Sequence, residues 1–176
     1  MTQLTLTDLT QIASEFLRDE YGLALEIPIK RNNRFSRVLG RVIFDHEWTP
    51  ERIEISGELF KYGADEAIID TLKHELVHYA LCVKGEPFDD GHPHFEAELK
   101  RLSISSTEQT SLGPSAVYSC DKCRKIQYAC NKRYVKALEK STQGFTTRCC
   151  GATLTYIKTE IFDGTRSVEE CLKSVS

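Results

Sequence analysis

Apolar residues recur with a helical spacing in several stretches of the chain. In residues 5–21, Thr5 or Thr7 can cap a helix and Gly22 can end it. The apolar stripe of this first helix consists of Leu9, Ile12, Ala13, Phe16 and Leu17. A longer helix is predicted over residues 64–84, which contain no Pro or Gly, and a shorter one follows with the sequence FEAELKRL.

Three β-like stretches lie between the first two helices, with the sequences LALEIPIK, RVLGRVIF and RIEIS. Polar or turn-forming residues separate them, which predicts an antiparallel meander. Pro28 lies inside the first stretch and removes one ladder donor, so this strand is expected at an edge of the sheet.

The rest of the chain has a different character. Residues 103–115 are polar and end near Gly113-Pro114, as a linker would. Beyond them, short β-like runs such as KIQYAC and GFTTRC alternate with cysteines. The pattern predicts an α+β protein with one domain over residues 1–104, a second over 116–160 and a tail over 161–176.

Charge divides the chain in a similar way. Residues 1–114 carry 12 Lys/Arg and 20 Asp/Glu, whereas residues 115–160 carry 9 and 3. A basic segment after an acidic domain can bind an anionic partner such as nucleic acid. The alternative is a solvated basic face with no partner, which would have the same composition.

The N-terminal sequence MTQLTLTDLTQ has neither a basic nor an apolar signal region, and no apolar run approaches a membrane span. A cytoplasmic protein without membrane contact is therefore expected. In a reducing cytosol, the seven cysteines favour metal ligation over disulfides.

The stretch HELVH, residues 74–78, has the spacing of a metal-binding helix. His74 and His78 lie one turn apart on the same face, where one ion can accept both imidazoles. Glu75 is rotated toward the same opening, so its carboxylate can act as a general base without binding the metal. Two solvated histidines on a surface helix are the alternative.

Four residues are candidates for a third ligand. His92 is favoured because the Asp89-Asp90-Gly91 turn can bring the chain back to the metal, and His94 is second. Glu98 lies about where a glutamate ligand from a following helix would be, and Glu96 is the remaining candidate.

HELVH, the DGH of residues 90–92, Phe95 and the helix FEAELKRL together resemble the SprT-like metalloprotease family, to which eukaryotic Spartan is related. The resemblance extends to LGR at residues 39–41 and to RIEIS, and covers residues 5–160. It implies a zincin-like core with a small antiparallel sheet, a C-terminal zinc ribbon, and proteolysis linked to DNA. It also implies that zinc is bound by His74, His78 and His92. Family members often read GHGPEF where this chain reads GHPHF, so His94 stays an alternative.

Cys120 and Cys123 form a CxxC knuckle, and a second cysteine group follows near Gly151. The resemblance implies that both groups bind zinc. A second CxxC ending at Cys150 would need a cysteine at position 147, which is Thr147. The fourth ligand is therefore expected to be Cys149, with Cys130 second.

We therefore predict a zinc-dependent endopeptidase with one catalytic and one structural zinc ion. Its substrate would be a protein, bound to DNA or crosslinked to it. The basic residues of the second module would contact DNA, and Tyr118, Tyr128 and Tyr134 would either stack on bases or form a small core. The alternative is a non-proteolytic, DNA-associated regulatory protein whose first zinc is structural and closed by four protein ligands.

Overall fold

A computed structural model describes residues 4–35, 38–106 and 112–164. The chain divides into two compact units, residues 1–109 and 110–176. Within the described residues, the first unit contains four helices and three strands, and the second contains three strands and one helix. The protein is a mixed α+β protein with two small sheets, as the sequence predicts.

Helix α1 spans Leu6–Tyr21 and ends at Gly22, as predicted. Thr5 and Asp8 form a capping box: the Asp8 N–H donates to the Thr5 hydroxyl oxygen, and the Thr5 N–H donates to the Asp8 carboxylate. Gly22 has a φ of 66°, the left-handed conformation that terminates many helices. Leu9, Ala13 and Leu17 of the predicted stripe are fully buried.

The first sheet consists of β1 (Ile29–Asn32), β2 (Gly40–Phe44) and β3 (Pro50–Ser56), in the order β1-β3-β2. The predicted antiparallel meander is wrong, because β1 pairs with β3 in parallel. Strand β3 is central in this sheet, and its Ile53 and Ile55 side chains are fully buried. The edge position of β1 is confirmed, and the Pro28 carbonyl accepts from the Ile53 N–H just before it.

Helix α3 spans Asp65–Lys84 and follows a short helix α2, Gly57–Tyr62, which the sequence pattern does not indicate. The helical repeat predicts an apolar stripe on α3 that consists of Ile68, Leu72, Leu76, Ala80 and Val83. The first four are fully buried, but Val83 is 49% exposed. The opposite side of α3 is buried as well, because Val77 and Leu81 pack against α4 (Pro93–Arg101). In the described part of the chain, none of the helices is both long and apolar enough to cross a membrane.

The second sheet has the order β5-β4-β6 and consists of β4 (Leu112–Cys120), β5 (Ile126–Ala129) and β6 (Leu154–Asp163). All its pairs are antiparallel. The β-like prediction for KIQYAC is confirmed by β5, but GFTTRC forms no strand because it leads into a tight turn. The unpredicted helix α5, Lys132–Lys140, packs on the sheet through Val135 and Leu138. Strand β4 includes residues that the sequence assigns to the linker, and residues 165–176 of the tail lie outside the described residues.

Candidate metal centres

Helix α3 positions His74 and His78 on one face, one turn apart. Their Nε2 atoms are 3.2 Å apart, and their rings lie edge to face with centroids 5.0 Å apart. Both side chains are largely buried, with exposed fractions of 11% and 13%. The two imidazoles therefore converge, as the HELVH spacing predicts.

Asp90 completes a group of three. Its Oδ1 atom lies 3.2 Å from the Nε2 atom of His74 and 3.4 Å from that of His78. Ligands bound tetrahedrally to one zinc ion at 2.0–2.1 Å lie about 3.3 Å from each other. The three donor atoms therefore have the mutual spacing that one such ion requires, and this group can hold a metal.

Two backbone carbonyls fix the protonation of the histidines. The Nδ1–H of His74 donates to the Ser105 carbonyl over 3.1 Å, and the Nδ1–H of His78 donates to the Phe88 carbonyl. Because a carbonyl only accepts, each Nδ1 carries a proton, which leaves Nε2 as the ring atom that can bind a metal. Carbonyl partners of this kind commonly orient metal-binding histidines.

Apolar contacts close the back of this site. The Phe95 ring stacks on His78 with a centroid distance of 4.1 Å and meets His74 edge-on at 5.3 Å. Phe95 belongs to a buried cluster with Val77, Leu81, Leu99 and Ile104. Burial lowers the pKa of His78, and the neighbouring His74 lowers it further, so the ring stays neutral as metal binding requires.

The four sequence candidates for the third ligand make other contacts. His92 caps α4, where its Nδ1 atom accepts from the His94 N–H over 3.2 Å. The His94 ring pairs with Glu86 at 2.7 Å, and Glu98 pairs with Arg101. The Glu96 carboxylate accepts from the Gly91 N–H.

Among the described residues, Asp90 is the one that the structure groups with both histidines. Asp90 is not among the four sequence candidates, although it lies in the Asp89-Asp90-Gly91 turn that is expected to return the chain to the metal. A carboxylate within that turn is the signal that could have identified it.

Glu75 is buried beside the metal group, with an exposed fraction of 6%. Burial raises the pKa of Glu75 to about 8, while the Val42 N–H donates to the carboxylate and opposes this rise. The charge of Asp90 raises the pKa further, so the two carboxylates lie close enough to interact. Glu75 does not belong to the group that can hold the metal, in agreement with a role as a base.

Gly40, on strand β2, leaves the space that Glu75 occupies. A Cβ atom at Gly40 would lie 2.8 Å from the Cγ and Oε1 atoms of Glu75 and 2.8 Å from the Thr71 Cγ2 atom. We expect Gly40→Ala to lower the free energy of unfolding by about 1–3 kcal/mol, as overpacking does, and to reduce activity by displacing Glu75. Denaturant titration and a peptidase assay measure both effects. Thr71→Ser removes the Cγ2 atom that crowds this Cβ, so it should restore part of the stability in the Gly40→Ala/Thr71→Ser double variant. An unchanged stability of Gly40→Ala would contradict the packing argument.

The second candidate centre is a group of four cysteines, Cys120, Cys123, Cys149 and Cys150, whose sulfurs all lie within 4.8 Å of one another. The Sγ atoms of Cys123 and Cys149 are 3.5 Å apart, close to the roughly 3.8 Å expected for two sulfurs bound tetrahedrally to one zinc at 2.3 Å. Cys130 is exposed and does not belong to the group. The group can therefore hold a metal, and it contains the preferred fourth candidate, Cys149.

Thr147 has a supporting position in this centre. It is buried, and its hydroxyl donates to the Cys120 sulfur over 3.3 Å. The Gly151 N–H donates to the Thr147 carbonyl, which closes the turn that carries Cys149 and Cys150. The residue that replaces the expected cysteine therefore orients a sulfur instead of supplying one.

The pKa values of three of the four thiols are shifted by their surroundings. The Cys123 N–H donates to the Cys120 sulfur and lowers the pKa of Cys120 to about 6, and the Thr147 hydroxyl lowers the pKa of Cys149. The Cys123 sulfur beside Cys150 raises the pKa of Cys150 to about 12. A divalent cation offsets the repulsion between adjacent thiolates and favours their ionised forms.

We expect Cys149→Ser to lower the zinc content of the purified chain by about one equivalent, because it removes one of four ligands of a closed site. Cys130→Ser is the matched control and should leave the zinc content unchanged. Elemental analysis of both variants, with circular dichroism to check folding, makes the measurement. If Cys130→Ser lost zinc and Cys149→Ser kept it, the order of the two candidates would be reversed.

The second unit presents a basic surface. Its eight Lys and Arg residues between positions 122 and 148 are all exposed. Four of them lie on the solvent side of α5: Lys132, Arg133, Lys136 and Lys140. Tyr118 and Tyr134 instead belong to the core of this unit, and Tyr128 packs against Phe162.

Comparison with known proteins agrees with the resemblance seen in the sequence. The SprT-like family matches residues 6–112, a span that includes the His–Asp group. Proteins described as "Protein SprT-like" are similar to this chain. One from Staphylococcus epidermidis is 26% identical over 161 residues, which cover 90% of this chain and 99% of the relative. One from Staphylococcus carnosus is 32% identical over 104 residues, which cover 58% and 61%. The family match spans more than half of the chain, which therefore belongs to the SprT-like family.

Proposed function

We propose that the protein is a zinc-dependent endopeptidase whose catalytic metal is bound by His74, His78 and Asp90. The observation that carries the proposal is the convergence of three acceptor atoms at 3.2–3.4 Å. A metal cation placed among the three atoms would be bound by two imidazole lone pairs and a carboxylate. Imidazole and carboxylate are both common zinc ligands.

Asp90 takes the place that the sequence analysis assigns to His92 in this proposal. The Asp90 side chain is 56% exposed, so the group is buried on the histidine side and open on the aspartate side. A polypeptide can therefore approach the metal from the side of the Asp90 loop. The assignment of His92 stays a prediction, which a variant of that residue tests separately.

Zinc bound by this set would polarise the scissile carbonyl and lower the pKa of a water molecule at the site. Glu75 would accept the proton of that water and pass it to the leaving amine. The burial that raises the pKa of Glu75 makes the carboxylate a stronger base, while a cation held by the neighbouring ligands opposes the rise. Together these effects suit proton transfer near neutral pH.

Tyr79 does not act in this mechanism. Its hydroxyl donates to the Ala24 carbonyl and accepts from the Glu26 N–H, so it fixes the segment that follows α1.

The number of ligands favours the peptidase over the regulatory alternative. A structural zinc site is closed by four protein ligands, whereas a catalytic site has three and keeps one position open. In the described ranges the His–Asp group has three members and the cysteine group has four. The first centre therefore suits catalysis, and the second suits a structural role.

We further propose that the substrates are DNA-bound or DNA-crosslinked proteins, with the second unit contacting DNA. The exposed basic face of α5 supports phosphate contacts. Stacking of tyrosine rings on DNA bases is less well supported, because Tyr118 and Tyr134 pack in the hydrophobic core of the second unit.

A cleavage assay on a DNA-binding protein, with and without DNA, tests this function. We expect DNA to stimulate cleavage and a chelator to abolish it. Charge reversal of Lys132, Arg133 and Lys136 should remove the stimulation. It should also make the salt dependence of DNA binding shallower, by about 0.9 in slope for each duplex phosphate that is no longer neutralised.

Charge reversal of three exposed residues of the first unit is the matched control for net charge: Arg18, Lys30 and Lys100. An equal effect of the two triple variants would contradict DNA contact by α5. Absence of zinc-dependent cleavage of any protein would contradict the peptidase.

A further inference from the structure

Three aromatic side chains form a cluster near the metal group: Phe44, Trp48 and Phe88. The Phe44 and Phe88 ring centroids are 5.2 Å apart, and Trp48 lies 6.1 and 6.4 Å from them. Phe44 and Phe88 are half-buried, but Trp48 is 65% exposed. The cluster therefore presents an indole to solvent on a base of two packed rings.

The turn between β2 and β3 holds Trp48 in an unfavourable conformation. Trp48 has a φ of 62°, in the left-handed region that favours glycine over residues with a side chain. The Asp45 carboxylate accepts from the Glu47 and Thr49 N–H groups at 2.8 Å, and the Cys82 thiol donates to the Trp48 carbonyl. Several hydrogen bonds thus hold Trp48 in an unfavourable backbone conformation that exposes its indole to solvent. This combination indicates a binding role for Trp48.

The aromatic cluster is continuous with the metal group. The Phe88 carbonyl accepts from the Nδ1–H of His78, and Phe88 lies two residues before Asp90 in the same loop. The Phe88 ring also packs against the buried cluster that contains Phe95. A polypeptide lying across the metal group therefore reaches the aromatic cluster within a few residues.

The charges around the aromatic cluster indicate what kind of ligand it accepts. Asp45, His46 and Glu47 lie in the turn that carries Trp48, and Glu86 and Asp89 lie in the loop that carries Phe88, where Glu86 also pairs with His94. The nearby Lys84 is directed over the Tyr21 ring instead. An acidic border repels nucleic acid and attracts Lys and Arg side chains.

We propose that the aromatic cluster is a substrate subsite that binds a large apolar side chain of a polypeptide, flanked by basic residues. This inference rests on the proposed peptidase function and names the substrate class of that site. The rings supply apolar contact for the central side chain, and the acidic border pairs with its neighbours.

Trp48 is the only tryptophan of the chain, so its fluorescence reports directly on occupancy of the subsite. The zinc-loaded Glu75→Gln protein is titrated with three matched decapeptides: a central Phe flanked by lysines, a central Ala flanked by lysines, and a central Phe flanked by glutamates. We expect the first to change the Trp48 emission and to bind at least about tenfold more tightly than either of the others. Equal affinities of the three peptides, or an unchanged Trp48 emission at saturating Phe–Lys peptide, would overturn the proposal.

Variants of Trp48 provide the second measurement, made by polarisation of a labelled Phe–Lys peptide. Trp48→Ala should weaken binding of this peptide about tenfold or more, and Trp48→Phe should restore most of the affinity. Leu6→Ala changes an exposed apolar residue on α1 and is the control that should have no effect. In the wild-type background, Trp48→Ala should raise KM for the same peptide and leave kcat nearly unchanged. A Trp48→Ala protein that binds as Leu6→Ala does would overturn the subsite.

The two proposals fail separately. Selective binding of the Phe–Lys peptide without cleavage by the wild-type protein would reject the peptidase and keep the subsite. Cleavage without selectivity for that peptide would reject the subsite and keep the peptidase.

Discussion

Glu75→Gln is expected to leave the zinc content and the fold intact while peptidase activity falls by about two to four orders of magnitude. General acid–base groups typically supply rate factors of that size. Glutamine retains nearly the same shape in the pocket beside Gly40 but cannot accept a proton. Its amide oxygen can still accept from the Val42 N–H, so the local packing should persist. Steady-state kinetics with elemental analysis of the same preparation makes the measurement.

His78→Ala is the comparison for Glu75→Gln. It removes a ligand, so activity and the zinc of the first centre should be lost together. Normal cleavage by Glu75→Gln would show that another group is the base. Loss of zinc in Glu75→Gln would show instead that Glu75 binds the metal.

Asp90→Ala should weaken zinc binding at the first centre by more than about 100-fold, since loss of residues that only support a ligand already costs about 10–100-fold. The reason is geometric: Asp90 supplies the third atom at 3.2–3.4 Å from the two histidine nitrogens. Competition with a chelator of known zinc affinity gives the magnitude. Asp90→Asn keeps the shape and removes the charge, so its affinity should fall between those of the wild type and Asp90→Ala.

His92→Asn separates this assignment from the one that the family resemblance implies. His92 caps α4, and Asn is among the best N-cap residues, so the variant removes the imidazole and retains the cap. We expect its zinc affinity to equal that of the wild type. A large loss in His92→Asn, with little change in Asp90→Ala, would assign the third position to His92.

Helices α1 and α3 are predictable because their ends are encoded locally. Thr5 with Asp8 begins α1, and Gly22 and Gly85 end α1 and α3 in the left-handed conformation that glycine adopts most easily. The convergence of His74 and His78 follows from the helical repeat alone.

The third metal contact and the position of β1 could not be predicted in the same way, because both depend on contacts between distant segments. Asp90 reaches the histidines through a loop whose path is set by the Phe88 carbonyl and by the Glu96 carboxylate on the Gly91 N–H. The parallel pairing of β1 with β3 departs from the tendency of successive strands to pair, and no local pattern in either strand encodes it.

The carbonyl of Phe88 and the carboxylate of Asp90 lie on one loop, so a single segment both orients a histidine and supplies a donor atom. The free energy of ordering this loop is therefore part of the metal affinity. A substitution that favours the bound loop conformation would tighten metal binding without touching a ligand. By the same linkage, the metal ion and a polypeptide bound against Phe88 would increase each other's affinity. Whichever binds first orders the loop, so the second binds without that free-energy cost.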